Sequence, residues 1–174
     1  MIYYKIKYNL IRSILYLLLF KKRGYGCEIG VWKGSNAKIL YKLLYPKLLY
    51  LVDPYVSKNC DDVYAPRLSQ TKMNEMYNEV KKWTENKRIW FIKDTSKNAS
   101  DYVDKRKVLL DWAYIDGDHF DLYNDLIYWY KNVSGIIMGD DYKGYPQVKN
   151  DVNRFCKERG IKLRHLHNQW WFKI

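Results

Sequence analysis

The chain has 174 residues, 48% of them hydrophobic and 17% aromatic, and a formal net charge of +12. That length fits one domain over 1–174, with a leading helix in 1–22 and a core in 23–174, and the apolar content is ample for a packed interior. Cys27, Cys60 and Cys156 are too few and too far apart for a disulfide framework or a zinc knuckle, and they fit a reducing cytoplasm. The 31 Lys and Arg residues are scattered, which reads as solubility with weak polyanion attraction and disfavours a dedicated nucleic-acid groove.

Residues 5–22 read as the leading helix, because Ile11, Ile14, Leu15, Leu18 and Leu19 recur at helical spacing. The apolar segment Leu10 to Phe20 is too short to span a bilayer, and no small-residue cleavage site follows it. The expected use is an amphipathic helix packed on the domain. A contact with a membrane surface or a partner is the competing use. Tyr25 to Ile29 is a strand, Ser35 to Leu44 a helix and Lys47 to Val52 a strand. Asn59 to Pro66 is loop, Leu68 to Glu85 a helix and Arg88 to Ile92 a strand. A polar loop is expected from Lys93 to Ser100. Leu110 to Ile115 is the fourth strand, Leu122 to Lys131 a helix and Gly135 to Met138 the fifth strand. Pro146 to Arg159 is a helix stopped by Gly160. Lys162 to Leu166 and Trp170 to Ile174 form a closing hairpin around His167-Asn168.

Alternating strands and helices imply a Rossmann-like, doubly wound α/β fold. Its seven-stranded sheet is mostly parallel, with an antiparallel C-terminal hairpin. Ligands of such sheets bind beyond the carboxyl ends of the strands, where the strand order reverses. Gly30 would turn the chain sharply off the first strand, Gly34 would relieve crowding, and Ser35 would cap the next helix or bind an anion. Asp53 ends the second strand, where an acid can accept both hydroxyls of a ribose. Asp94, Thr95 and Ser96 follow the third strand and could meet an adenine, or simply form the loop. Asp116, Asp118 and His119, with Asp140 and Asp141, should converge at the same edge. There the carboxylates would repel one another unless a cation is present.

These motifs, Glu28-Ile29-Gly30 with Gly34-Ser35, Leu51-Val52-Asp53-Pro54-Tyr55, Ile115-Asp116-Gly117-Asp118-His119 and Gly139-Asp140-Asp141-Tyr142, resemble class I S-adenosylmethionine-dependent methyltransferases. The similarity is greatest to the branch with macrolide-sugar and cephalosporin-pathway O-methyltransferases, and it runs from about Tyr25 to the C-terminus. It implies an enzyme that binds S-adenosylmethionine through Glu28, Gly30, Gly34, Ser35, Asp53, Tyr55, Asp94, Thr95 and Asp116. Asp116, Asp140 and Asp141 would hold a divalent cation, magnesium by analogy, and His119 with Asp116 would carry the chemistry. The implied acceptor is a sugar or another hydroxylated small molecule. Competing readings are a non-catalytic cofactor-binding module or partner subunit, and an RNA methyltransferase. Homo-oligomerisation is left open. The only segments that could form a lid are the leading helix and the Val56–Gln70 loop.

Overall fold

Along each central strand, alternate residues serve opposite faces of one sheet. In β4 (Leu110–Ile115), Trp112 and Tyr114 pack to one side and Ala113 and Ile115 to the other, with Leu110 joining the latter across a register shift before Trp112. β2 (Leu48–Val52) divides in the same way, with Leu49 and Leu51 opposite Tyr50 and Val52. A strand apolar on both faces needs cover on both, which is the condition for a parallel α/β sandwich.

The computed structural model describes residues 2–57 and 68–174, with side chains from residue 10 onward. The remaining elements are α1 (Ile2–Leu19), β1 (Tyr25–Ile29), α2 (Ser35–Leu44), α3 (Gln70–Thr84), β3 (Ile89–Ile92), α4 (Ser96–Lys105), α5 (Leu122–Tyr130), β5 (Val133–Gly139), α6 (Pro146–Glu158), β6 (Arg164–Leu166) and β7 (Gln169–Lys173). The sheet order is β3-β2-β1-β4-β5-β7-β6. Strands β1 to β5 pair in parallel, while β7 runs antiparallel to both β5 and β6. The order reverses between β1 and β4, so their carboxyl ends open the crevice where such folds bind ligands.

The expected fold class holds, and most strands and helices fall within a residue or two of their expected limits. One element was missed: the segment expected as a polar loop becomes α4 from Ser96 onward. The Thr95 hydroxyl caps it by accepting from the Asn98 amide, and the helix buries only Ala99, Ser100 and Val103. So narrow a buried stripe leaves little hydrophobic periodicity to read, and tertiary packing supplies the difference. Cys60, the Asn59–Pro66 loop and most of the suggested Val56–Gln70 lid lie outside the described residues.

Helix α1 covers the same sheet face as α2. Leu15, Tyr16 and Phe20 are buried there with Trp112 and Tyr114, and Phe20 stacks on Trp112 at a centroid distance of 4.7 Å. Cys27 is fully buried, as expected of a small core residue.

Candidate functional site

The first turn is built by close backbone approach. Gly30 has φ +87°, and its amide donates to the Val52 carbonyl at 2.9 Å. On the other side, the Asp116 amide donates to the Ile29 carbonyl at 2.8 Å, so the ends of β2, β1 and β4 are laced together. Gly34, not Ser35, is the capping residue of α2. It has φ +70° and no side chain to offer, and Ser35 begins the helix.

Asp53 is almost buried and organises this loop. Its Oδ2 accepts from the amides of Val31 (3.0 Å) and Trp32 (2.8 Å), and its Oδ1 from the amide of Tyr55 (2.8 Å). The resemblance implied that Tyr55 contacts the cofactor. Its side chain is instead wholly buried beneath the loop, donating its hydroxyl to the Trp32 carbonyl and packing against Tyr77 and Phe91.

Glu28 points to the α1–α2 side and is 1% exposed. Its Oε1 accepts from Asn36 Nδ2 at 3.0 Å, and Asn36 Oδ1 accepts from the Tyr16 hydroxyl at 2.7 Å. Glu28 Oε2 is buried without a hydrogen-bond partner among the described residues. Burial, reinforced by the charges of Asp116 and Asp53, pushes this carboxyl up from 4.5 to about 8. The raised value means that the folded protein holds the proton more tightly than the unfolded chain does. The stabilisation is therefore complete below about pH 4.5 and is lost as pH rises through about 8. Glu28→Gln keeps the acceptor for Asn36 and cannot ionise. Thermal melts from about pH 5 to 9 should show wild type losing ground to the variant. Parallel pH profiles would refute the assignment.

Asp94 and Thr95 sit beyond β3 and are committed to α4. Asp94 Oδ1 accepts from the Thr95 amide (2.7 Å) and from Asn98 Nδ2 (2.8 Å). That geometry serves the helix start.

At the ends of β4 and β5, His119 Nε2 lies 3.0 Å from Asp141 Oδ2 and 3.7 Å from Asp116 Oδ1. The ring stacks on Tyr145 with centroids 4.1 Å apart. Burial disfavours a charged imidazole, but the two carboxylates outweigh it and push His119 up to about 10. The sequence suggested a histidine able to take a proton at neutral pH. In this arrangement it already holds one. Neither Asp118 nor His119 caps α5. Asp118 Oδ1 accepts from the Phe120 amide (3.0 Å), and the cap position of α5 belongs to Asp121.

Among the described residues, Asp116, His119 and Asp141 form the group whose ligand atoms could meet on one ion, all within 4.8 Å. Asp140, expected in that set, lies elsewhere. Its Oδ2 is 3.6 Å from Arg12 Nη1 of α1, and its Oδ1 accepts from the Asp141 amide at 2.7 Å. The difference arises because Asp141 adopts φ +65°, so the two neighbouring side chains leave the strand end in different directions. His165 stacks on Tyr142 and His167 begins the hairpin turn, so neither joins this group.

Three residues at the site escaped the sequence reading: Arg12, Tyr16 and Asn36. Arg12 and Tyr16 come from a helix read only for its apolar spacing, and Asn36 from a helix read only for how it starts. The one usable signal was a polar Asn on an otherwise apolar helix face.

No protein-family model matches this sequence, and no curated protein matches it. Solved structures do resemble it. The O-methyltransferase TomG from Streptomyces achromogenes, involved in tomaymycin synthesis and solved with S-adenosylmethionine, is 12% identical with a TM-score of 0.63 over 93% of this chain and 76% of its own. An O-methyltransferase from Bacillus cereus, in complex with S-adenosylhomocysteine, is 12% identical with a TM-score of 0.62 over 92% and 77%. Fibrillarin from Aeropyrum pernix, with natively bound S-adenosyl-L-methionine, is 11% identical with a TM-score of 0.60 over 88% and 67%. What this chain shares with these proteins is the fold, which here is a seven-stranded, Rossmann-like sheet with the antiparallel strands β7 and β6 at one edge.

Proposed function

We propose that the protein is an S-adenosylmethionine-dependent methyltransferase acting on a hydroxyl of a sugar or another small molecule. The observation that carries this reading is the buried Glu28 carboxyl, with one oxygen unmatched, beside the tight Gly30 turn at the sheet's switch point. Burial outweighs the nearby Arg12 charge and disfavours this carboxylate, a cost that a cationic group such as an amino acid's ammonium would relieve. Asp53, at the end of the neighbouring strand, is the group for the ribose hydroxyls.

When bound, S-adenosylmethionine would supply an electrophilic methyl group. The chain's own contribution is to position and to hold charge. Glu28 and the Gly30 turn would fix the amino-acid end, and Asp53 the ribose. The Asp116–His119–Asp141 group would stand where an acceptor hydroxyl must lose its proton. With His119 protonated, the available proton acceptors are the two carboxylates. The same three residues also suit a divalent cation, which would displace the imidazole proton and lower the pKa of a bound hydroxyl. Two carboxylates and an imidazole are a mixed oxygen and nitrogen set, better matched to Mn²⁺ or Zn²⁺ than to the Mg²⁺ expected from an all-carboxylate site.

The test is calorimetric titration with S-adenosylmethionine, alone and with Mn²⁺ or Mg²⁺. Cofactor binding that Mn²⁺ strengthens more than Mg²⁺, and that Asp141→Asn makes insensitive to metal, is the expected result. Absence of cofactor binding under every condition would overturn the methyltransferase reading. Metal-insensitive binding by wild type would remove only the cation.

A further inference from the structure

From Leu10 onward α1 carries aliphatic residues on both its inward and its outward face, yet it lies on the surface. Its inward face is used: Leu15, Tyr16 and Phe20 are buried against the sheet. Its outward face carries Leu10, Ile14, Leu17 and Leu18 at the i, i+4, i+7, i+8 spacing of a single stripe. All four are exposed, Leu10 by 58% and Leu18 by 75%. A contiguous aliphatic stripe in water marks an interaction surface.

The charge around the stripe says what covers it. The first 27 residues contain six Lys or Arg and no Asp or Glu, although the chain has 19 acidic residues in all; the fold pairs Arg12 with Asp140 and Lys21 with Asp111. Lys22 and Arg23 stand exposed just past the end of the helix. Two copies of a chain bearing +12 would repel at a shared basic face, whereas an anionic surface would be attracted. No helix among the described residues is long and apolar enough to cross a membrane. An apolar stripe flanked by basic residues and lacking acids has the chemistry of a helix lying in a lipid interface.

We propose that the outward face of α1 seats the protein on an anionic lipid bilayer, with Leu10, Ile14, Leu17 and Leu18 entering the interface and Lys22 and Arg23 meeting the headgroups. The inference stands apart from the methyltransferase reading, and either can fail alone.

The test is co-sedimentation of the full chain with vesicles of phosphatidylcholine alone, or of equal parts phosphatidylcholine and phosphatidylglycerol. The protein should pellet with the anionic vesicles and stay in solution with the neutral ones. The double variant Leu10→Gln/Leu18→Gln should lower partitioning by about tenfold or more. Leu18→Gln alone, at the most exposed position, should lower it in the same direction. Circular dichroism should be unchanged in both. Lys22→Gln/Arg23→Gln should weaken binding roughly fivefold per charge. Failure of wild type to pellet with anionic vesicles overturns the proposal. Equal pelleting by Leu10→Gln/Leu18→Gln also overturns it, because bulk charge then explains the adsorption. A dimer that this variant dissociates, with no vesicle binding, assigns the face to a second copy instead.

Discussion

Gly30→Ala should destabilise the protein by ~3–5 kcal/mol and remove cofactor and metal binding together. A β-carbon at this position would stand 2.0 Å from the Asp116 carbonyl oxygen and 2.4 Å from its carbon. Both obstacles are backbone, held by the β1–β4 ladder, so no rotamer change relieves the overlap. The conformation adds to the strain, since φ +87° is one that side-chain-bearing residues rarely adopt. Relief requires the ends of β1 and β4 to separate, which carries Asp116 away from His119 and Asp141. Gly34→Ala is the control. Its φ of +70° carries a similar backbone strain, but its β-carbon would meet only the Val80 side chain, with Cγ2 at 3.1 Å and Cγ1 at 3.5 Å, so the loss should be smaller. Denaturant unfolding of the two variants would measure the difference. Equal stabilities would show that the β1–β4 junction yields more easily than this packing implies.

Asp53→Ala should abolish S-adenosylmethionine binding and lower the melting temperature by roughly 6–12 °C. That range corresponds to ~3 kcal/mol in a chain of this size. The stability loss follows from the amides of Val31, Trp32 and Tyr55, all of which donate to this carboxylate. Unmatched buried amides cost about 1–3 kcal/mol each, and partial rehydration of the loop reduces the sum. The binding loss has two sources: removal of the acceptor for the ribose, and collapse of the loop that presents it. Asp53→Asn separates them. It retains one oxygen for the loop amides but has lost the negative charge, so its melting temperature should recover more than its cofactor affinity. Cofactor binding retained in Asp53→Ala would overturn the ribose assignment.

The fold, and the sheet edge at which the candidate residues gather, were legible in the order of residues along the chain. Strand runs such as Leu110 to Ile115, apolar on both faces, admit only a sheet covered on both sides. Gly30, Asp53, Asp116 and Asp141 each follow such a run, so their place at the carboxyl ends follows from local order along the chain. Pattern could not reach features that depend on how two elements meet. Helix α4 escaped because its buried stripe is three small residues wide, and its start rests on a single Thr95 cap. The sequence placed Asp140 and Asp141 together. The left-handed backbone at Asp141 separated them, sending one to His119 and the other to Arg12. The Tyr16–Asn36–Glu28 chain joins three elements over separations of 20 and 8 residues. Only packing α1 against α2 decides that the carboxyl is dry, and dryness is what raises its pKa. Periodicity reports which face of a segment is apolar. Which polar group that face meets, and whether water reaches it, is settled by the tertiary structure.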